Sequence, residues 1–171
     1  MAAKALDIAI QTERDGIKYY GDLAGRSSDE MARRMWSSLV EDERKHLKIL
    51  EAIASEMGFP PLDSDVYKID PKSRIRTIFS EALSAEAGAA ASEDEVEALK
   101  TAMGMERRGF EMYEGMAADA KVELEQALFK RLAYEEEQHY DILEKSLAFL
   151  ADTGHWFLWE ERAVIDGGGS A

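Results

Sequence analysis

In the segment LVEDERKHLKIL at residues 39–50, a Glu and a His three residues apart interrupt an otherwise apolar helical seam. The segment LAYEEEQHYDIL at residues 132–143 repeats this pattern 93 residues later. In both segments a Leu, the Glu, the His and a second Leu follow one another at steps of four, three and four residues, a spacing typical of one face of a helix. Charged residues on a buried face need pairing or a metal ion, so the two segments also indicate a functional site.

The repeat extends over both halves of the chain. With the 93-residue offset, Glu13 falls on Glu106, and each lies 30 residues before the Glu of its half's Glu-x-x-His motif. Facing residues of an antiparallel helix pair lie at equal distances from the turn, which predicts turns near residues 28 and 121. The same offset aligns Arg14 with Arg107, Gly16 with Gly109, Tyr20 with Tyr113, Leu39 with Leu132 and Leu50 with Leu143.

Good helix formers fill the rest of both halves, and the only prolines are Pro60, Pro61 and Pro71. Apparent capping boxes at 27–30 and 92–95 mark the starts of the second and third helices. The sequence predicts helices over 3–26, 28–57, 92–118 and 122–152.

The predicted connector at 58–91, with a short helix near 72–85, can run the length of a bundle about 40 Å long. We therefore predict an all-α four-helix bundle over 1–153, with a long crossover between the second and third helices. An aromatic C-terminal extension and a flexible Gly-rich tail follow over 154–171.

Composition excludes several classes of function. A net charge of −14 disfavours nucleic acid and anionic membranes as partners. No apolar run is long enough for a membrane span, and the N-terminus does not resemble a signal peptide, so we expect a cytoplasmic protein. The absence of cysteine excludes disulfides and cysteine-ligated clusters, which leaves carboxylate and imidazole as metal ligands.

Each of the four apolar seams is broken near its middle by Glu, or by Glu and His. One Glu from each of two helices with Glu-x-x-His from each of the other two is the carboxylate-bridged di-metal arrangement. Two alternatives need no metal: a single Glu-x-x-His is usually a solvated pair, and the chain could be a metal-free helical adaptor. Neither explains why the motif is repeated. The predicted metal ligands are Glu13, Glu43, His46, Glu106, Glu136 and His139.

The repeated Glu-x-x-Gly-x-x-x-Tyr and Glu-x-x-His motifs resemble the di-iron domain of the rubrerythrin family, in the ferritin-like superfamily, over about residues 5–150. The resemblance implies that Glu13 and Glu106 are terminal ligands, as are both histidines, and that Glu43 and Glu136 bridge the metals.

The chain also departs from that family. Without cysteine it lacks the rubredoxin module that passes electrons to the metals, and Gly109 stands where the family has an extra Glu ligand. The six-ligand set is similar to that of bacterioferritin, whose haem-binding Met is replaced here by Arg44, so no haem is expected.

Other residues have two interpretations. Tyr20 and Tyr113 are either core residues or partners of the site, through a hydrogen bond or as an electron relay. Gly16 and Gly109 either reflect composition or serve close backbone packing or room beside the metals. Asp42 and Glu135 either orient the opposite His or lie on a solvated face. We expect the run at 155–159, which contains His155, Trp156, Phe157 and Trp159, to pack on the bundle or a partner subunit rather than bind metal.

The expected function is that of an oxidoreductase with two iron ions per chain, manganese being possible, that reduces hydrogen peroxide or O₂. Its electrons would come from a separate donor protein or a small reductant, and a homodimer is expected. The alternative is a ferroxidase or iron-storage protein of the same superfamily, which a shell of many subunits would indicate.

Overall fold

The computed structural model describes residues 3–55 and 93–153. Within these ranges the chain forms four α-helices and no strand: α1 (Ala3–Arg26), α2 (Glu30–Ala54), α3 (Glu93–Asp119) and α4 (Glu123–Thr153). The predicted all-helical bundle and its turns near 28 and 121 are confirmed. The predicted connector at 58–91 and the extension at 154–171 lie outside the described residues.

The start of α2 differs from the prediction by two residues. Asp29, not Ser27, is the N-cap, and its Oδ1 accepts hydrogen bonds from the backbone N–H groups of Met31 at 2.8 Å and Ala32 at 3.0 Å. An Asp carboxylate also carries the negative charge that a helix N-terminus favours. Ser27 instead donates its hydroxyl to the carbonyl of Leu23 at the end of α1.

The helices pair as two hairpins, α1 with α2 and α3 with α4, which also meet each other. Tyr20 on α1 contacts Glu106 on α3, while Glu13 contacts Tyr113, so the numbering rises along one helix as it falls along the other. The same holds between α2 and α4, where His46 contacts Glu135 and His139 approaches Asp42. Each helix is therefore antiparallel to the helix that corresponds to it in the other hairpin.

Two apolar clusters fill the described core, and the internal repeat relates their central residues. In one cluster Tyr20 stacks on Trp36, with ring centroids 5.8 Å apart, and in the other Tyr113 stacks on Phe129 at 6.3 Å. All four side chains are at most 1% exposed. The polar residues of the seams lie between these two clusters.

None of the described helices combines the length and apolar character that crossing a bilayer requires.

Candidate metal centre

All six predicted ligands lie in the buried centre of the bundle. Their exposed fractions do not exceed 4%, which for charged groups requires pairing or a bound cation. The helical period explains their placement, because Glu and His three residues apart on α2, and again on α4, share one face. The structure thus brings together Glu13, Glu43, His46, Glu106, Glu136 and His139.

These residues form two groups that could each hold a metal ion. Within each group the candidate ligand atoms lie within 4.8 Å of one another. Glu43 and Glu136 belong to both groups, which is the position expected of bridging carboxylates. The first group adds Glu13 and His46, and the second adds Glu106 and His139.

The donor atoms of the centre fit a divalent cation better than they fit one another. His46 Nδ1 lies 3.0 Å from Glu136 Oε1, and His139 Nδ1 lies 3.4 Å from Glu106 Oε2. None of these four atoms makes a well-formed hydrogen bond to any described residue. Buried polar atoms are rarely left in this state, and a cation accepting all of them would satisfy the group. With nitrogen and oxygen donors and no cysteine in the chain, a cysteine-ligated iron–sulfur cluster is excluded.

Two tyrosines hold the carboxylates that belong to only one group. The Tyr113 hydroxyl donates to Glu13 Oε1, and the Tyr20 hydroxyl donates to Glu106 Oε1, each across the α1–α3 interface. The core interpretation and the hydrogen-bonding interpretation both hold, because each Tyr is buried in an apolar cluster and also donates to a carboxylate of the site. Each carboxylate keeps its other oxygen for the centre.

Asp42 and Glu135 do not lie on a solvated face, since they are 0% and 5% exposed. Glu135 Oε2 lies 3.0 Å from Nε2 of His46, on the opposite hairpin, and Asp42 Oδ2 lies 3.6 Å from Nε2 of His139. The hypothesis that these residues orient the opposite His is confirmed for Glu135, whereas Asp42 lies beyond hydrogen-bond distance of His139. The charged residues behind them, Arg131 and Lys45, were missed; the only sequence signal was their spacing of four and three residues on the same helix.

The two glycines lie against the shared carboxylates. A Cβ added at Gly109 would lie 2.7 Å from Glu136 Oε2, whereas one added at Gly16 would lie 3.5 Å from Glu43 Cγ. Contact at 2.7 Å is too short for a carbon and an oxygen that are not bonded, so Gly109 leaves space that Glu136 occupies. The prediction of room beside the candidate ligands is confirmed at Gly109, whereas at Gly16 a Cβ would make only an ordinary contact.

Burial and close charges shift the acid–base properties of the centre. Desolvation, followed by the charge of Glu43, raises the pKa of Glu13 to about 8, and desolvation also raises the pKa of Glu136 well above its usual value. Desolvation opposes ionisation of Glu43 too, but the imidazoles of His139 and His46, whose Nδ1 atoms lie 3.5 and 3.2 Å from its oxygens, outweigh it and hold the Glu43 pKa well below its usual value. Burial likewise disfavours the charged histidines, yet nearby carboxylates outweigh it and raise both histidine pKa values.

Comparison with known proteins gave no match to this chain, whether with protein-family models, curated proteins or solved structures.

Proposed function

We propose that the chain is a non-haem di-iron oxidoreductase that reduces hydrogen peroxide or O₂ with electrons from an external donor. Its metal ligands would be the six clustered residues, with Glu43 and Glu136 bridging. The observation that carries the proposal is the membership of these two buried carboxylates in both candidate cation groups. Manganese accepts the same nitrogen and oxygen ligands as iron, so the choice of iron over manganese is itself proposed.

The charge balance supports two ions rather than one. Four carboxylates lie in a centre that excludes water, and two divalent cations would offset their full charge. A single cation would leave two carboxylates to share protons or repel each other. The neutral imidazoles of His46 and His139 would add donors without adding charge.

Two bound ferrous ions would supply the two electrons that reduce hydrogen peroxide to water, or O₂ to hydrogen peroxide. The chain's own residues fix the conditions for that chemistry. Tyr113 and Tyr20 each hold one oxygen of a carboxylate, which leaves the other oxygen directed to the centre. The apolar clusters on both sides keep bulk water out, which strengthens the electrostatic interactions within the site.

The topology forms part of the same proposal. Because α1 is antiparallel to both α2 and α3, residues 56–92 would have to join two helices that run in the same direction. A connection of that kind is the long crossover of ferritin-like bundles. This pairing of helices supports the ferritin-like crossover that we propose.

The proposal is tested by anaerobic loading with ferrous iron, followed by stopped-flow mixing with peroxide or O₂ and then an external reductant. We expect rapid oxidation of the iron, and turnover of oxidant when reductant is supplied. Glu43→Ala should abolish both. Glu137→Ala changes an exposed Glu beside the candidate ligand Glu136 and serves as the matched control, which should behave as the wild type.

Loaded protein whose iron is oxidised by neither peroxide nor O₂ would contradict the oxidoreductase function. Oxidation that yields a mineral core in a shell of many subunits would instead assign the chain to iron storage.

A further inference from the structure

The two histidines of the centre are held differently at their outer nitrogens. His46 Nε2 lies 3.0 Å from Glu135 Oε2, which is within normal hydrogen-bond distance. His139 Nε2 lies 3.6 Å from Asp42 Oδ2, which is too long, and it makes no hydrogen bond to any described residue. One imidazole is therefore fixed in orientation by a carboxylate, and the other is not.

The groups behind these carboxylates increase the difference. Arg131 Nε lies 2.6 Å from Glu135 Oε1, so the Glu135 carboxylate is held on one side by a guanidinium and on the other by His46. Lys45 Nζ lies 3.0 Å from Asp42 Oδ1, and its side chain is 33% exposed, against 21% for Arg131. A guanidinium has a planar, rigid set of donors, whereas an ammonium is a point charge on a flexible stem.

This asymmetry lies in the sequence, at positions where the internal repeat fails. The 93-residue offset aligns Arg131 with Ser38 and Lys45 with Gln138, so neither half has the cation of the other. Asp42, the counterpart of Glu135, has a side chain one methylene shorter. A shorter side chain at the same place on its helix accounts for the longer distance to the opposite imidazole.

We infer that the two metal positions are inequivalent, an inference that rests on the proposed di-metal function. The position formed with Glu13 and His46 would bind its ion first and more tightly, and Glu135 and Arg131 would be its positioning residues. The physical reason is preorganisation. The hydrogen bond to Glu135 fixes the proton on Nε2 and leaves Nδ1 facing the carboxylates, whereas binding at His139 must also order the imidazole.

Anaerobic titration of the apo protein with Co²⁺, followed by its visible absorption and by calorimetry, tests the inference. We expect two binding steps whose Kd values differ by roughly tenfold or more. Co²⁺ should shift the exchangeable N–H resonance of His46 at a lower metal concentration than that of His139. Glu135→Gln should weaken the tighter step by about 10- to 100-fold and leave the weaker step nearly unchanged.

Matched variants separate positioning from general stability. The Arg131 side chain contacts Glu135 and none of the candidate ligands. Arg131→Met should therefore weaken the same tighter step, but by less than Glu135→Gln does. Asp42→Asn, the equivalent change in the other half, should affect only the weaker step. Far-UV circular dichroism of each apo variant checks that the helices are retained.

Two equal steps in the wild type, or equal weakening of both steps by Glu135→Gln and Arg131→Met, would overturn the inference and leave the di-metal centre in place. Absence of any Co²⁺ binding would overturn the centre itself and the inference with it.

Discussion

The Tyr113 hydroxyl on α3 donates a hydrogen bond to Glu13 Oε1 on α1. The repeat supplies the reciprocal contact, since Tyr20 on α1 donates to Glu106 on α3. Each Tyr lies seven residues after the Glu of its own helix, yet it binds the Glu of the other helix. These paired hydrogen bonds connect the two hairpins at the level of the candidate metal centre.

Tyr113→Phe should destabilise the apo protein by about 1–2 kcal/mol, because Glu13 Oε1 loses its donor where no water replaces it. Urea denaturation followed by circular dichroism measures the change. Tyr19→Phe is the control, since the Tyr19 hydroxyl makes a longer bond of 3.3 Å to the carbonyl of Ala98 in a partly buried place. An equal loss in both variants would show that the Tyr113 contact has no special weight.

The ligand roles predict different metal contents in two variants. Elemental analysis of the reconstituted wild type should approach two ions per chain. Glu136→Ala removes a carboxylate common to both groups and should lower the content below one, whereas Glu106→Ala removes a ligand of one group and should leave about one. A wild-type content near zero would refute the metal centre, and equal losses in the two variants would refute the bridging assignment.

Gly109→Ala should weaken metal binding, whereas Gly16→Ala should stabilise the helix. At Gly109 the new Cβ would lie 2.7 Å from Glu136 Oε2, so the carboxylate must move and metal affinity should fall by about tenfold or more. At Gly16 the nearest atom is 3.5 Å away, an ordinary contact, and Ala should stabilise the helix by up to about 1 kcal/mol. Metal titration and thermal unfolding of both variants check this. Equal metal affinity in the two would contradict it.

The apo protein should be less stable at pH 8 than at pH 6. The raised pKa values of Glu13 and Glu136 mean that the folded state retains protons that the unfolded chain has already released above about pH 5. The free energy of unfolding therefore falls as the pH rises to about 8. The raised pKa values of His46 and His139 act in the same direction above their usual value of 6.5. The lowered pKa of Glu43 acts only below 4.5, outside this range.

We expect the loss between pH 6 and pH 8 to be about 2 kcal/mol or more. Urea denaturation at both pH values measures it, and a metal-loaded sample should show a weaker dependence because cations replace the protons. Identical pH profiles for the apo and loaded forms would mean that these groups do not titrate together with the centre.

We expect the chain to assemble as a dimer. A symmetric dimer is the commonest closed assembly, and we expect a particle of about 38 kDa, twice the chain mass of 19.1 kDa. Size-exclusion chromatography with light scattering determines it. The aromatic run at 155–159, which we expect to help form the contact, lies outside the described residues. Truncation after residue 153 should then favour the monomer, and an unchanged dimer would remove that role.

The sequence alone determined the four helices, their turns and the six candidate ligands. It could do so because the helical period of 3.6 residues decides which side chains share a face, and the repeat matches those faces between the two hairpins. The spacing of Glu13, Glu43 and His46 and its copy in the second half therefore sufficed to place them in one buried layer. The N-cap of α2 was predicted at Ser27 and lies at Asp29, because several residues in the Ser-Ser-Asp-Glu run at 27–30 can cap a helix.

The tertiary structure was needed to see which differences between the two halves change a contact at the site. The repeat makes Gly16 and Gly109 equivalent, yet the carboxylate approaches closely only at Gly109. It also aligns Asp42 with Glu135, yet only Glu135 reaches its histidine. Such contacts depend on the rotation and separation of two packed helices and on side-chain length. A difference of a few tenths of an ångström there separates a hydrogen bond from an open gap, and no periodicity along a single helix encodes it.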